Sequence, residues 1–248
     1  MKIKLYIVSY NNEVTLNDTL RSLFDSNIYN TEITIINNHS NFKVSYPVNV
    51  IHNSVRPDFS TGHLARDWNC AIINGFKTLK SPDCEILITC QDDTVFANNW
   101  LDQTIEYHKT YNFISAGWGD GFCSYLPEAI MNVGLWDERF NTIEYQEADY
   151  FNRQKIFNQE KCSINDFHHN RVHNPLFKQE EKSFIWRTSD IGTFRKPSEY
   201  NYALLKSKYG RPLEFYENKS YENKQTILYP YFEKDILKLD QIYNTFSL

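Results

Sequence analysis

Residues 85–96 read EILITCQDDTVF, a short apolar run that breaks off into the polar cluster CQDDT. A continuous apolar segment of this length, closed by turn formers, predicts a strand buried on both faces. Asp92 and Asp93 stand side by side at its end, an arrangement that is costly unless a cation or strong donors neutralise it. Upstream, Leu64, Trp68, Ala71, Ile72, Gly75, Phe76 and Leu79 form one stripe at helical spacing, which predicts a helix over 64–79. Further back, IKLYIV (3–8) predicts a buried first strand. It is followed by the turn formers SYNN and by a helix with Asn12 as N-cap and Leu16, Leu20, Leu23 and Phe24 on its inner face. ITII (33–36) and VNVI (48–51) predict two more strands.

Downstream, FISAG (113–117) predicts a strand. PEAIMNVG (127–134) predicts a short helix opened by Pro127, and EYQEADYFNRQKIF (144–157) a longer one. The stretch 167–198 lacks periodicity and exceeds ordinary loop length. A last helix is expected over EYNYALLKSKYG (199–210), stopped by Gly210 and Pro212. Strand and helix in alternation imply an α/β fold with a mostly parallel central sheet and helices on both faces. In such sheets ligands sit outside the carboxyl ends of the strands. The clusters Ser9 to Asn12, Asn37 to Ser40 and Gln91 to Thr94 are therefore the ones expected to face a ligand.

Composition narrows the function classes. The 248 residues include 17 Phe, 17 Tyr and 5 Trp, which excludes a disordered chain. With 26 Lys+Arg against 31 Asp+Glu the net charge is −5, which argues against a partner bound through a nucleic-acid backbone. No run approaches the roughly 18–20 apolar residues of a membrane span. MKIKLYIVSY has neither the apolar core nor the cleavage site of a signal peptide, so a cytoplasmic protein is expected. The five cysteines have neither zinc-ligand nor disulfide-framework spacing and are expected to stay reduced.

Six segments, in order, resemble the family 2-type, nucleotide-sugar-dependent glycosyltransferases of the GT-A fold. IVSYNNEVTLNDTLRSL is similar to that family's first strand, turn and helix, and IINNHSNF to its second strand. ARDWNCAIING, ILITCQDDTVFANNWL and GFCSYLPEAIMNVGLWDERF resemble its next helix, its DxD strand and its acceptor-side segment. QEADY resembles the E-D-x-D-L motif that carries the catalytic base. The resemblance covers about residues 3–170. It implies a Rossmann-like GT-A catalytic domain over 1–174, with a nucleotide-sugar-binding half to about 112 and an acceptor-side half over 113–174. Residues 175–248 are then a C-terminal helical and loop extension packed on the same domain.

The resemblance also implies roles. A divalent cation, Mn²⁺ or Mg²⁺, would offset the charge of a leaving nucleoside diphosphate. Matching Gln91-Asp92-Asp93 to DxD makes Asp93 the metal ligand and gives Asp92 to the ribose or a metal-bound water. An amide stands at the first position. His168 or His169 is expected to add a metal contact. Single displacement with inversion needs a base for the acceptor's hydroxyl proton. That match puts Glu147 in this role, with Asp149 as an orienting or helix-terminal group and the amide Gln146 where the family has an acid. Ser9, Tyr10, Asn11, Asn37 and Asn69 fall at nucleotide-contacting positions, UDP being the favoured donor. Arg66 is either a phosphate ligand or a solvated charge. Trp136 and Asp137 fall on the acceptor side, Trp136 as the expected stacking face for a sugar. A glycan or glycoconjugate hydroxyl is the implied acceptor, with polysaccharide synthesis as the setting. The two amides favour an alternative, a non-catalytic nucleotide- or sugar-binding module on the same scaffold.

Overall fold

β1 (Ile3–Tyr10) runs through the middle of a seven-stranded sheet and is buried along its length, with only Tyr10 reaching partial exposure. Its residues alternate between two cores, as a pleated strand requires. Ile3, Leu5 and Ile7 pack with Leu16, Leu20 and Leu23 of α1 (Glu13–Asp25) and with Trp100 and Leu101 of α3 (Trp100–His108). Tyr6 and Val8 pack on the other face with Trp68, Ala71, Ile72 and Phe76 of α2 (Leu64–Phe76). Ala129 and Ile130 of α4 (Pro127–Val133) and Tyr150 and Phe151 of α5 (Gln146–Phe157) join that second core. The structure is a computed structural model that describes residues 1–10, 12–38, 43–53, 64–116, 119–140, 145–164, 177–179, 201–206 and 208.

Strand order in the main sheet is β3-β2-β1-β4-β7-β6-β8. These are β2 (Thr31–Asn38), β3 (Asn49–Asn53), β4 (Ile86–Gln91), β6 (Phe113–Ala116), β7 (Phe122–Tyr125) and β8 (Cys162–Ile164). β3, β2, β1 and β4 are mutually parallel; β7 runs antiparallel to β4 and β6, and β8 parallel to β6. A separate two-stranded ladder joins β5 (Thr94–Phe96) to β9 (Phe177–Gln179). The chain winds outward from β1 to β3 and then crosses back to β4 on β1's other side. That reversal opens a crevice at the carboxyl ends of β1 and β4. Val8 lies opposite Gln91 and Ser9 opposite Asn37, so the ends of β1, β2 and β4 finish level.

The expected alternation of strand and helix holds, with local corrections. Asn12 caps α1, its side chain accepting from the Thr15 amide at 3.4 Å. The helix predicted over 64–79 stops at Phe76, because Lys77 adopts φ +60° and turns the chain away. Leu79 is buried beyond the helix end. His108, a residue type expected in turns and on surfaces, is buried in α3. Its Nε2 lies 2.6 Å from Ser124 Oγ, and burial lowers its pKa to about 4. Residues 201–206 and 208 are helical, within the helix expected over 199–210. All five cysteines are free.

α2 approaches the sheet closely at Gly75. A Cβ there would come 2.4 Å from Cδ1 of Leu87, itself fully buried in β4. Gly75→Ala is expected to lower unfolding free energy by about 1–3 kcal/mol, since the displaced leucine has no free space to enter. An unchanged denaturation midpoint would show that Leu87 repacks freely.

Candidate active site

β4 ends in a tight turn whose backbone is fixed from several sides. The Asp92 amide donates to Val8 O at 3.1 Å, the Gln91 amide to Gly121 O at 3.1 Å, and Thr94 Oγ1 to Gln91 O at 2.9 Å. Thr19 Oγ1, from α1, donates to the Asp92 carbonyl at 2.7 Å. Within this turn Ser9 Oγ donates to Asp92 Oδ2 at 2.7 Å. Ser9 is fully buried. Its hydroxyl orients Asp92. Asp93 is also buried. The turn thus sets two carboxylates at the sheet's rim, one of them aimed by Ser9.

The amide at position 91 is explained by a residue that the sequence reading passed over. Gln91 Nε2 donates to Asp120 Oδ1 at 2.6 Å. The indole N–H of Trp68 and Nε2 of Gln146 both donate to Asp120 Oδ2, at 2.8 and 3.0 Å. The buried Asp120 therefore accepts from β4, α2 and α5 at once. The two positions where the resemblance has acids are both amides here, and both meet the same carboxylate. Two unexpected donors call for an acceptor elsewhere, and that was the available signal. The segment DG at 120–121 reads only as a turn.

Glu147, half-buried in the first turn of α5, lies over the Gly119 backbone. A Cβ at position 119 would sit 3.5 Å from Glu147 Cγ and 3.7 Å from its Oε1, and Gly119 holds φ +54°. Asp93 lies two residues beyond Gln91, and Glu147 is next to Gln146. Two of the residues bonded to Asp120 are thus near neighbours in sequence of Asp93 and Glu147.

Asp149 is built into a different environment. It is fully buried, with Arg153 Nε 3.0 Å from its Oδ2 and Lys208 Nζ 2.5 Å from its Oδ1. The same Lys208 ammonium reaches Asp137 Oδ2 at 2.8 Å, and Arg139 holds Asp137 with a forked pair at 2.9 and 2.6 Å. Burial pushes the Asp137 carboxyl up, but Arg139 and Lys208 outweigh it and hold the pKa at about 2. Asp137, expected on the acceptor side, is therefore an internal ion partner, and Asp149 an internal anchor of α5.

Other expectations are also corrected. Trp136 is fully buried and stacks on Tyr150 with ring centroids 4.1 Å apart, so it presents no face to a sugar. Asn69 closes two hydrogen bonds on the Trp136 backbone, donating to its carbonyl at 2.9 Å and accepting from its N–H at 2.8 Å. Asn69 Nδ2 also donates to Glu138 Oε1 at 2.8 Å. Arg66 is exposed, its Nε 3.7 Å from Glu138, which favours the solvated charge. Tyr10 is part-exposed at the end of β1. Asn37 is buried, with Nδ2 3.5 Å from His52 Nδ1. Beside it Asn53, Asn38 and Asp67 form a chain of bonds at 2.9 and 2.8 Å. Asn11, His168 and His169 lie outside the described residues.

Among the described residues no three His, Cys, Asp or Glu side chains gather into a metal-binding group. A protein-only cage is thus not formed by them. The buried acidic turn fits a hard cation bound through one or two carboxylates, whose remaining ligands come from substrate phosphates and water.

No protein-family model matches the chain, and no curated protein matches its sequence. Solved structures do match it. TarS residues 1–349 from S. aureus aligns over 100% of this chain and 73% of its own, at TM-score 0.53 and 10% identity. The mannosyltransferase PcManGT from Pyrobaculum calidifontis, solved with GDP-Man and Mn²⁺, aligns over 99% and 74%, at TM-score 0.54 and 10% identity. The UDP complex of TarS 1–349 aligns over 85% and 72%, at TM-score 0.51 and 10% identity. Among the described residues no helix is long and apolar enough to cross a membrane. The parallel 3-2-1-4 core, the acidic turn after β4 and these likenesses together show that the chain has the GT-A fold.

Proposed function

We propose that the protein is an inverting glycosyltransferase that moves a hexosyl or pentosyl group from a nucleoside-diphosphate sugar to a hydroxyl of a glycan or glycoconjugate. The single observation that carries this reading is the bridge from the acidic turn of β4 through Asp120 to the first turn of α5. It joins Gln91 and Gln146, the chain neighbours of the acidic pair and of Glu147, beside the crevice where the strand order reverses, and that supports the reading. Residues 1–174 form the catalytic domain in this reading, and 175–248 extend it.

Each residue then has a task. Ser9 holds Asp92 in one orientation, so the turn needs little rearrangement when the diphosphate arrives. Asp93 would hold Mn²⁺ or Mg²⁺, with His168 or His169 as the further ligand implied by the resemblance, and the ion when bound would supply positive charge for the departing diphosphate. Glu147 takes the acceptor's proton as its oxygen attacks the anomeric carbon from the side opposite the leaving group. The bond to the diphosphate breaks as the glycosidic bond forms, which inverts the anomeric centre. Tyr10 and Asn37, at the ends of β1 and β2, flank the nucleoside, with Asn11 as a further contact implied by the resemblance. UDP is the favoured carrier by the sequence resemblance; among the solved neighbours TarS is seen with UDP and PcManGT with GDP-Man.

The alternative of a non-catalytic binding module drew its support from the amides at 91 and 146. Both amides have structural partners on Asp120, so neither one implies a decayed catalytic site.

A thermal-shift screen of nucleoside diphosphates with and without Mn²⁺ tests the reading. The cognate pair is expected to raise the melting temperature, since ligand at about 100 times Kd adds about 2.7 kcal/mol to folding stability. Asp93→Ala is expected to abolish the Mn²⁺-dependent part of that rise. Equal nucleotide affinity in chelator and in Mn²⁺, measured by calorimetry on the wild type, would overturn the metal assignment. Binding with no transfer to any glycan and no donor hydrolysis would overturn the enzyme.

A further inference from the structure

The first turn of α5 is anchored at Asp149, which meets Arg153 and Lys208, while its start carries no side-chain cap bond. Its N-cap is Tyr145, a residue with no capping oxygen, held at φ +72° and making no side-chain cap bond. Helix starts leave four backbone N–H groups without intrahelical partners and favour a nearby anion. The turn after β4, by contrast, is fixed by five bonds to Val8, Gly121, Thr19, Ser9 and its own Gln91 carbonyl. Asp120 touches both ends, through Gln91 and Gln146, and is steadied by the Trp68 indole from α2. Asp120 is thus a direct link between the turn after β4 and the start of α5.

We propose that Asp120 is the positioning residue for Glu147: its carboxylate serves as a strut that ties the start of α5, through Gln146, to the end of β4. This rests on the reading above for the role of Glu147, but the strut itself is a statement about the fold. A carboxylate suits the task because it accepts on both oxygens and donates nothing. Three donors from three elements then converge without conflict. Loss of that acceptor takes a bond from each of three buried donors, and Gln146, next to Glu147 at the start of α5, loses its link to β4.

Asp120→Ala is expected to lower kcat by about 10–100-fold, because displacing a reacting group by about 1 Å costs rate on that scale. The KM for donor should stay within about threefold, since five other bonds hold the β4 turn. Hydrogen exchange of a peptide spanning 145–152 should quicken about tenfold or more, while a peptide spanning 13–25, on the sheet's opposite face, stays unchanged. Asp120→Asn should recover most of both losses. Its one oxygen still accepts from Trp68 and Gln146, while its amide faces Gln91, whose own amide can flip. Gln146→Met removes only the α5 arm and gives the same exchange signature should the alanine variant fail to fold.

Unchanged exchange at 145–152 in Asp120→Ala and Gln146→Met would overturn the proposal, as would an asparagine variant no better than alanine. A uniform rise in exchange across both peptides would mean a merely global loss of stability and would also overturn it. If the wild type turns over no nucleotide sugar, the enzyme reading falls. The exchange measurements then decide the strut on their own.

Discussion

Glu147→Gln is expected to cut sugar transfer by about 10²–10⁴-fold while leaving nucleotide affinity within about threefold of wild type. The range corresponds to about 3–5 kcal/mol of lost transition-state stabilisation. Glutamine keeps the shape of the side chain and its packing over Gly119, so what is removed is the ability to accept a proton. The neighbouring acids cannot take over. Asp149 is fully buried and held by Arg153 and Lys208, and Asp120 already accepts three hydrogen bonds. Single-turnover transfer and calorimetric binding of the nucleotide, measured side by side, separate the two effects. A variant that transfers at the wild-type rate would remove Glu147 from the base role. Equal losses in binding and in turnover would mean instead that the substitution disturbed the donor site.

The fold was legible where hydrophobic periodicity was strong. Buried runs such as IKLYIV and EILIT read as strands because both faces are covered, and the α2 stripe from Leu64 to Phe76 read as a helix because one face is. α3 escaped because Thr104 and His108 share its inner face with Trp100 and Leu101, so apolar spacing understates the helix. β7 and β8 escaped for a related reason. Both are short, and Ser124 within β7 is buried against His108. The acidic turn and the helix that carries Gln146 and Glu147 were recognised by their order along the chain. Asp120 was not, because its importance lies in convergence of Trp68, Gln91 and Gln146, which are separated by up to 78 residues in sequence (146 minus 68). Trp136 misled in the opposite direction. An indole is equally at home against a sugar or in a core, and only its stacking on Tyr150 reveals which.

Asp149→Ala is expected to destabilise the fold by about 3–5 kcal/mol, the scale for breaking a buried ion pair from one side. Among the described residues the cluster joins two carboxylates, Asp137 and Asp149, to three cations, Arg139, Arg153 and Lys208. Removing Asp149 strands Arg153 and Lys208 in the interior with one carboxylate fewer. Arg153 also donates to the carbonyls of Val133 at 3.1 Å and Leu135 at 2.9 Å, so its disturbance reaches the end of α4. Lys208→Met is the instructive contrast. It leaves Asp137 with Arg139 and Asp149 with Arg153, restores charge balance within the cluster, and is expected to cost less than half as much. Acid should act on the cluster with a definite sign. The Asp137 pKa of about 2 lies below the roughly 3.9 of an unfolded aspartate. Its stabilisation is therefore complete above about pH 4 and is lost as pH falls from there toward 2. Urea midpoints of the wild type and both variants at pH 7 and pH 3 read all of this. A Lys208→Met variant as unstable as Asp149→Ala would show that the ammonium, and not the balance of charge around it, holds the final helical stretch against α5.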